Sequence, residues 1–156
     1  MTRRFPDADE RIALFPGSFN PFTLGHKSLV DRALPLFDKV VIAIGYNSEK
    51  CAADDAALTS RLETIRAIYA DEPRVEVTSY AGLTVDACRE CGARWMLRGV
   101  RSVADFEYER TLADVNRRIS GIETVILYTL PEYASISSSI VRELGRYGYA
   151  TGEFLP

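Results

Sequence analysis

The chain has 156 residues, 47% of them hydrophobic and 26% charged, with a formal net charge of -3. That length suits one domain with a sizeable core and not two. The acidic balance argues against a general nucleic-acid surface, which wants basic charge, although a local cluster of Arg and Lys can still hold phosphate. No segment reads as a transmembrane span or a signal peptide: Arg3 and Arg4 are followed by Pro6, Asp7, Asp9 and Glu10, where an apolar stretch is needed. Residues 1–10 read as an N-terminal extension and 11–156 as the domain. The expected location is the cytoplasm, without a membrane partner and with Cys51, Cys88 and Cys91 as thiols.

Arg11 to Phe15 is a short apolar run that predicts a first strand. Pro16 to Pro21 has loop chemistry. From Leu24 the period changes, and Leu29, Val30, Ala33, Leu36 and Phe37 mark a helical face with Pro35 near its end. Lys39 to Gly45 predicts a buried strand of the parallel-sheet kind, followed by a polar loop from Tyr46 to Asp55. Leu58 to Tyr69 reads as a helix, with Ser60 and Glu63 at capping-box spacing. Val75 to Tyr80 alternates like a strand. Leu83 to Cys91 reads as a helix that Gly92 stops. Ala93 to Leu97 is a fourth strand, Ser102 to Ile119 a long helix, Thr124 to Thr129 a fifth strand, and Ser137 to Tyr147 a last helix.

Strand and helix thus alternate five times. Parallel strands need right-handed crossovers. The expected fold is therefore a single doubly wound, Rossmann-like α/β domain with a five-stranded parallel sheet. Ligands in such folds sit beyond the carboxyl ends of the strands, which directs attention to the loops there.

Cys88 and Cys91 form a C-x-x-C. A zinc site needs more ligands, and a redox pair should open a helix rather than close one. The pair is expected to be two small apolar residues on a helix, so no protein-held metal is expected.

After the first strand comes Gly17-Ser18-Phe19-Asn20-Pro21-Phe22-Thr23-Leu24-Gly25-His26. Gly17 lets backbone approach a ligand, Ser18 offers a hydroxyl and an N–H, and Gly25 lets a phosphate near the start of the helix. His26, the only histidine in the chain, stands on the first turn of that helix. After the fourth strand come Arg98 and Arg101, three apart around Gly99 and Val100. Guanidinium forks match phosphate oxygens. Arg101, Asp105 and Glu109 can share one helix face, where an ordinary ion-pair ladder is the competing explanation. After the fifth strand, Tyr133 to Ser139 ends in three serines. One cap accounts for one of them. Lys50, in the loop after the second strand, is on the ligand side.

The T-x-G-H at Thr23 to His26, preceded by G-S-F-N-P, resembles the signature of the nucleotidyltransferase superfamily. With the R-G-x-R-x-x-x-D-F-E-Y-E run from Arg98 and the I-S-S-S-x-V-R-E run from Ile136, the chain from Arg11 to Pro156 resembles the phosphopantetheine adenylyltransferase family. Three positions depart from the common pattern: Ser18 where threonine is frequent, Asn20 where aspartate is, and Tyr133 where tryptophan is. G-S-F-N-P also occurs in relatives acting on nicotinate mononucleotide, so the first motif alone does not choose the acceptor.

The resemblance implies transfer of AMP from ATP to 4′-phosphopantetheine, giving 3′-dephospho-coenzyme A and pyrophosphate. It implies that Ser18, His26, Lys50 and Arg98 serve the reacting groups. Ser18, Lys50, Thr84 and Arg98 would contact phosphopantetheine. Ser18, Phe19, His26, Gly99, Val100, Arg101, Glu109, Tyr133, Ala134, Ser135, Ile136, Ser137, Ser138 and Ser139 would contact ATP. It further implies Mg²⁺ arriving with ATP, coenzyme A as a feedback ligand, and a homohexamer. The acceptor phosphate is itself the nucleophile, with a second pKa of about 6 by analogy with phosphorylated side chains, so no general base is expected. The rival readings are a nicotinate-mononucleotide adenylyltransferase and a non-catalytic nucleotide-binding regulator.

Overall fold

A computed structural model describes residues 10–50 and 55–156; residues 1–9 of the 1–10 extension, and Cys51, lie outside the described residues. The strands are β1 (Ile12–Gly17), β2 (Lys39–Gly45), β3 (Val75–Tyr80), β4 (Trp95–Val100) and β5 (Glu123–Tyr128). The helices are α1 (Leu24–Ala33), α2 (Ala56–Ile68), α3 (Thr84–Glu90), α4 (Val103–Ser120) and α5 (Ser138–Arg146). All strand pairs are parallel, in the order β3-β2-β1-β4-β5. This is the expected five-stranded α/β fold.

Alternation along the strands divides the core. Ala13 and Phe15 join Val40, Ile42 and Ile44 under Leu29, Val30 and Ala33 of α1 and Leu58, Leu62 and Ile65 of α2. Leu14, Val41, Ala43 and Met96 face the other way and pack with Val85, Ala87 and Cys88 of α3. Helix α4 lies on this second face, where Asn116 Nδ2 reaches Met96 Sδ at 3.9 Å.

Several element ends differ from expectation for local reasons. Helix α1 stops at Ala33 rather than Phe37: Leu34 keeps helical angles as the C-cap, but Pro35 supplies no N–H to carry the helix further. Helix α2 starts at Ala56, since the Asp55 carboxylate accepts the N–H groups of Ala57 at 2.9 Å and Leu58 at 3.2 Å; Ser60 is interior and not its cap. Ser102 and Ser137 are N-caps rather than first helical residues. Strand β1 runs on through Pro16 and Gly17, and β4 runs to Val100. Arg98, Gly99 and Val100 therefore belong to the sheet and not to the loop after it.

Strand β1 is where the strand order reverses, the position at which open α/β sheets bind ligands. It pairs with β2 as far as Gly17↔Ile44. Its pairing with β4 ends at Leu14↔Met96. Beyond that point Pro16 has no N–H to offer, and the two strands part.

Candidate active site

The gap between β1 and β4 is filled by side chains. Arg98 Nη1 donates to Pro16 O at 2.9 Å. Its Nε and Nη2 donate to the two carboxylate oxygens of Glu109 at 2.8 and 2.6 Å. Glu109, 6% exposed, is the only buried residue of α4. Burial would lower the Arg98 pKa, but the hydrogen bonds and charge of Glu109 outweigh it and raise it. Arg98 is thus a fixed cation, with two of its five N–H groups outside these bonds. The competing ion-pair ladder along α4 holds only for its first rung: Asp105 stands by Arg101, at 3.8 Å, whereas Glu109 bonds Arg98.

The Thr23 to His26 turn caps α1. Thr23 Oγ1 accepts the His26 N–H at 3.4 Å, and His26 Nδ1 accepts the Thr23 N–H at 3.0 Å. This is a capping box with imidazole in the place of Glu or Gln. A backbone N–H can only donate, so Nδ1 carries no proton and the neutral ring holds its hydrogen on Nε2. The ring packs among Phe19, Phe22 and Phe15, with centroids at 5.0, 5.4 and 6.2 Å. Burial first, then the charges of Arg101 and Arg98, lowers its pKa from 6.5 to about 4. At neutral pH it is a hydrogen-bond donor and not a cation.

Two cavities meet at this point. The first, about 360 Å³, is lined by Ser18, Phe19, Thr23, Gly25, His26, Arg98, Gly99, Arg101, Thr129, Tyr133, Ile136 and Ser137 to Ser139, among others. The second, about 400 Å³, is lined by Tyr80, Gly82 to Val85, Met96, Glu109, Leu112, Ala113, Asn116, Ile119 and Thr124. Pro16, Gly17, Ser18 and Arg98 line both. The first offers hydroxyls, arginine and the start of α5, with no carboxylate on its wall, and suits a polyanion. The second is mostly apolar and suits a longer, largely uncharged chain carrying one anionic end toward Arg98.

The family model described as cytidylyltransferase-like matches residues 14–144. The phosphopantetheine adenylyltransferase of Bacteroides fragilis is 49% identical over 94% of this chain and 96% of that one. The enzyme of that name from Phocaeicola vulgatus is 51% identical over 94% and 95%.

The chain belongs to the phosphopantetheine adenylyltransferase family.

Solved structures share the fold at lower identity. A putative nicotinate-nucleotide adenylyltransferase from Vibrio parahaemolyticus superposes with a TM-score of 0.64 at 21% identity, over 94% of this chain and 93% of that one. A bifunctional NMN adenylyltransferase/ADP ribose pyrophosphatase from Francisella tularensis gives 0.68 at 16% identity over 94% of this chain, which spans only 45% of that protein.

The residues that the family resemblance singles out do not all converge. Glu109 lines the second cavity, not the first where an ATP contact would lie. Val100 is buried, 2% exposed, and on neither wall. Ala134 and Ser135 lie in the turn before α5, off both walls, while Tyr133 and Ile136 reach the first. Thr84 lines the second cavity, where its hydroxyl meets Tyr80 Oη at 2.8 Å. Lys50 is exposed on a turn, its N–H bonded to Asn47 O at 3.0 Å, and lines neither cavity. Gly99 has a packing reason as well: a Cβ there would stand 2.3 Å from Leu29 Cδ1. The three serine hydroxyls are each engaged. Ser137 caps Ile140 N, Ser138 donates to Pro21 O, and Ser139 accepts from Arg142. Cys88 and Cys91 lie away from both cavities. Burial pushes the Cys88 thiol up to about 12 and raises that of Cys91.

Sequence reasoning missed Leu112, Ala113, Asn116 and Ile119, which line the second cavity. Their spacing from Glu109 repeats a helical face and could have found them. It also missed Arg61 and Arg142, whose contacts are long-range and leave no local pattern.

Proposed function

We propose that this protein transfers the adenylyl group of ATP to 4′-phosphopantetheine, giving 3′-dephospho-coenzyme A and pyrophosphate. The observation that carries this is the pair of unlike cavities joined at Ser18 and Arg98. ATP would fill the first, with its phosphates toward His26, Arg101 and the start of α5. Phosphopantetheine would lie in the second, with its phosphate at Arg98. An acceptor phosphate oxygen then attacks the α-phosphorus in line, and the bond to pyrophosphate breaks. The nucleophile is already largely dianionic at neutral pH, given a second pKa of about 6, so no side chain need remove a proton. The Nε2–H of His26 would stabilise charge developing on the α-phosphate.

Mg²⁺ would enter on the triphosphate. Among the described residues no group of three or more His, Cys, Asp or Glu could hold a metal ion, so phosphate oxygens and water would be its ligands. Bound there, it would neutralise phosphate charge. Lys50 would offset the repulsion between the two anions only if its loop brought it nearer. Coenzyme A, as a molecule joining both substrate halves, would inhibit by filling both cavities. The homohexamer draws support from exposed Val115 and Ile119 on α4 and Tyr128 on β5. Among the described residues no helix is long and apolar enough to cross a membrane. A cytoplasmic location, like the absence of nucleic-acid partners, is part of this proposal.

Nicotinate mononucleotide is the competing acceptor. Its carboxylate would want a donor cation, and Arg98, already paired with Glu109, is the only cation among the described residues lining the second cavity. Pyrophosphate release with saturating Mg-ATP and each acceptor decides. Higher catalytic efficiency with 4′-phosphopantetheine is expected. Equal or better use of nicotinate mononucleotide would overturn the acceptor assignment and leave adenylyl transfer standing.

A further inference from the structure

The loop after β1 is held by its carbonyl oxygens. Pro16 O takes Arg98 Nη1 at 2.9 Å, Ser18 O takes Arg61 Nη1 at 2.6 Å, Asn20 O takes Arg142 Nη1 at 2.6 Å, and Pro21 O takes Ser138 Oγ at 2.8 Å. The donors come from β4, α2 and α5. Between the two outer arginines, Phe19 adopts a φ of 46°, a left-handed conformation that a bulky side chain seldom takes.

A trans peptide unit is planar, with its C=O and N–H pointing opposite ways. Ser18 O and Phe19 N–H belong to one such unit. Holding the oxygen toward α2 therefore turns the Phe19 N–H the other way. Among the described residues, no backbone carbonyl accepts the N–H of Ser18 or Phe19, and both residues line the first cavity. Arg61 is not on that wall. It lies behind the loop with Phe19, Asn20, Pro21 and Phe22, around a separate hollow of about 210 Å³.

We propose that Arg61 is a positioning residue for adenylyl transfer, fixing the Ser18–Phe19 peptide plane so that the Phe19 N–H faces the phosphates. This rests on the adenylyl-transfer reading above. Arg142 provides an internal contrast. It makes a bond of equal length to the same loop, but the Asn20–Pro21 unit that it holds has no N–H to aim.

The test measures kcat and both KM values by pyrophosphate release, together with melting temperature, for the wild type, R61A, R61Q, R61K and R142A. Deuterium exchange of a peptide spanning residues 16–22 is followed in each. R61A is expected to lower kcat by about ten- to a hundredfold, part of what one transition-state donor is worth, with KM for ATP changed far less. R61Q keeps an N–H donor for Ser18 O without the charge, and R61K keeps both donor and charge; each should recover most of the loss. R142A should stay close to wild-type turnover, and loop exchange should quicken in R61A. Wild-type turnover in R61A overturns the proposal, as do equal losses in R61A and R142A. So does a loss that neither R61Q nor R61K recovers. A wild-type chain that releases no pyrophosphate with either acceptor overturns the adenylyl-transfer reading itself, and the two failures are thereby distinct.

Discussion

The two cavities share a wall but are made of different material. The first is built from loops and helix starts: the Gly17 to His26 turn, Arg98 to Arg101 and the serines before α5. The second is built from the sides of elements, chiefly one face of α4 over Met96 and Thr124, closed by the start of α3. A wall of hydroxyls, N–H groups and arginine suits charge that changes during reaction. A wall of Leu112, Ala113 and Ile119 suits a chain that is only held. Substitutions in the first should therefore act on turnover, and those in the second on acceptor binding.

The largest expected departure is His26→Ala. Loss of one transition-state donor typically costs about 2.7–4 kcal/mol, roughly a hundred- to thousandfold in rate. Steady-state kinetics should show kcat falling far more than ATP affinity; near-normal turnover would remove His26 from the mechanism. The same residue gives a stability signature. Its folded pKa, about 4, lies below the unfolded 6.5, so between these values the unfolded chain binds more protons. Its contribution is complete above pH 6.5 and is lost as pH falls toward 4. Urea midpoints should fall more steeply over that window for the wild type than for His26→Gln.

Glu109→Gln tests the shared wall. It removes a charged partner of Arg98 and should cost about 1.5–3 kcal/mol, the worth of a hydrogen bond to a charged group. A lowered melting temperature and a raised acceptor KM are expected, with ATP KM little changed. A rise in ATP KM alone would instead place Glu109 with the nucleotide.

Asn116→Ala should act on the second cavity alone. Loss of one neutral hydrogen bond is worth about 1 kcal/mol, which predicts acceptor KM raised several-fold and kcat and ATP KM unchanged. Equal weakening of both substrates would break the division between the cavities. The smallest effect is expected for Cys88→Ser with Cys91→Ser, which lie outside both. Turnover and metal content should be unchanged; stoichiometric zinc in the wild type, lost in the double variant, would contradict this.

The boundaries that the sequence missed are informative. Residues 93–97 read as a strand because apolar residues end there, yet β4 continues through Arg98 and Gly99. A charged residue at a strand end looks like loop when its partner is unknown, and Glu109 lies a whole connection later. Ser60 looked like a cap because its spacing to Glu63 fits, but Asp55 had already taken the first N–H groups. The capping role of His26 was hidden for a different reason: imidazole is an unusual partner for the N-cap N–H.

By itself the sequence determined the alternation of five strands and five helices, the parallel sheet, the glycine-rich turn before His26 and the family to which the chain belongs. Each of these is written in neighbouring residues or in a short period. The tertiary structure alone decided that Arg98 is held as a cation by its ion pair with Glu109, that His26 is an uncharged Nε2–H donor, and that Lys50 stands off both cavities. It alone decided, too, that Arg61 and Arg142 tie the loop from 43 and 122 residues away. Those facts depend on burial and on hydrogen bonds between distant segments, and neither has a local signature in the chain.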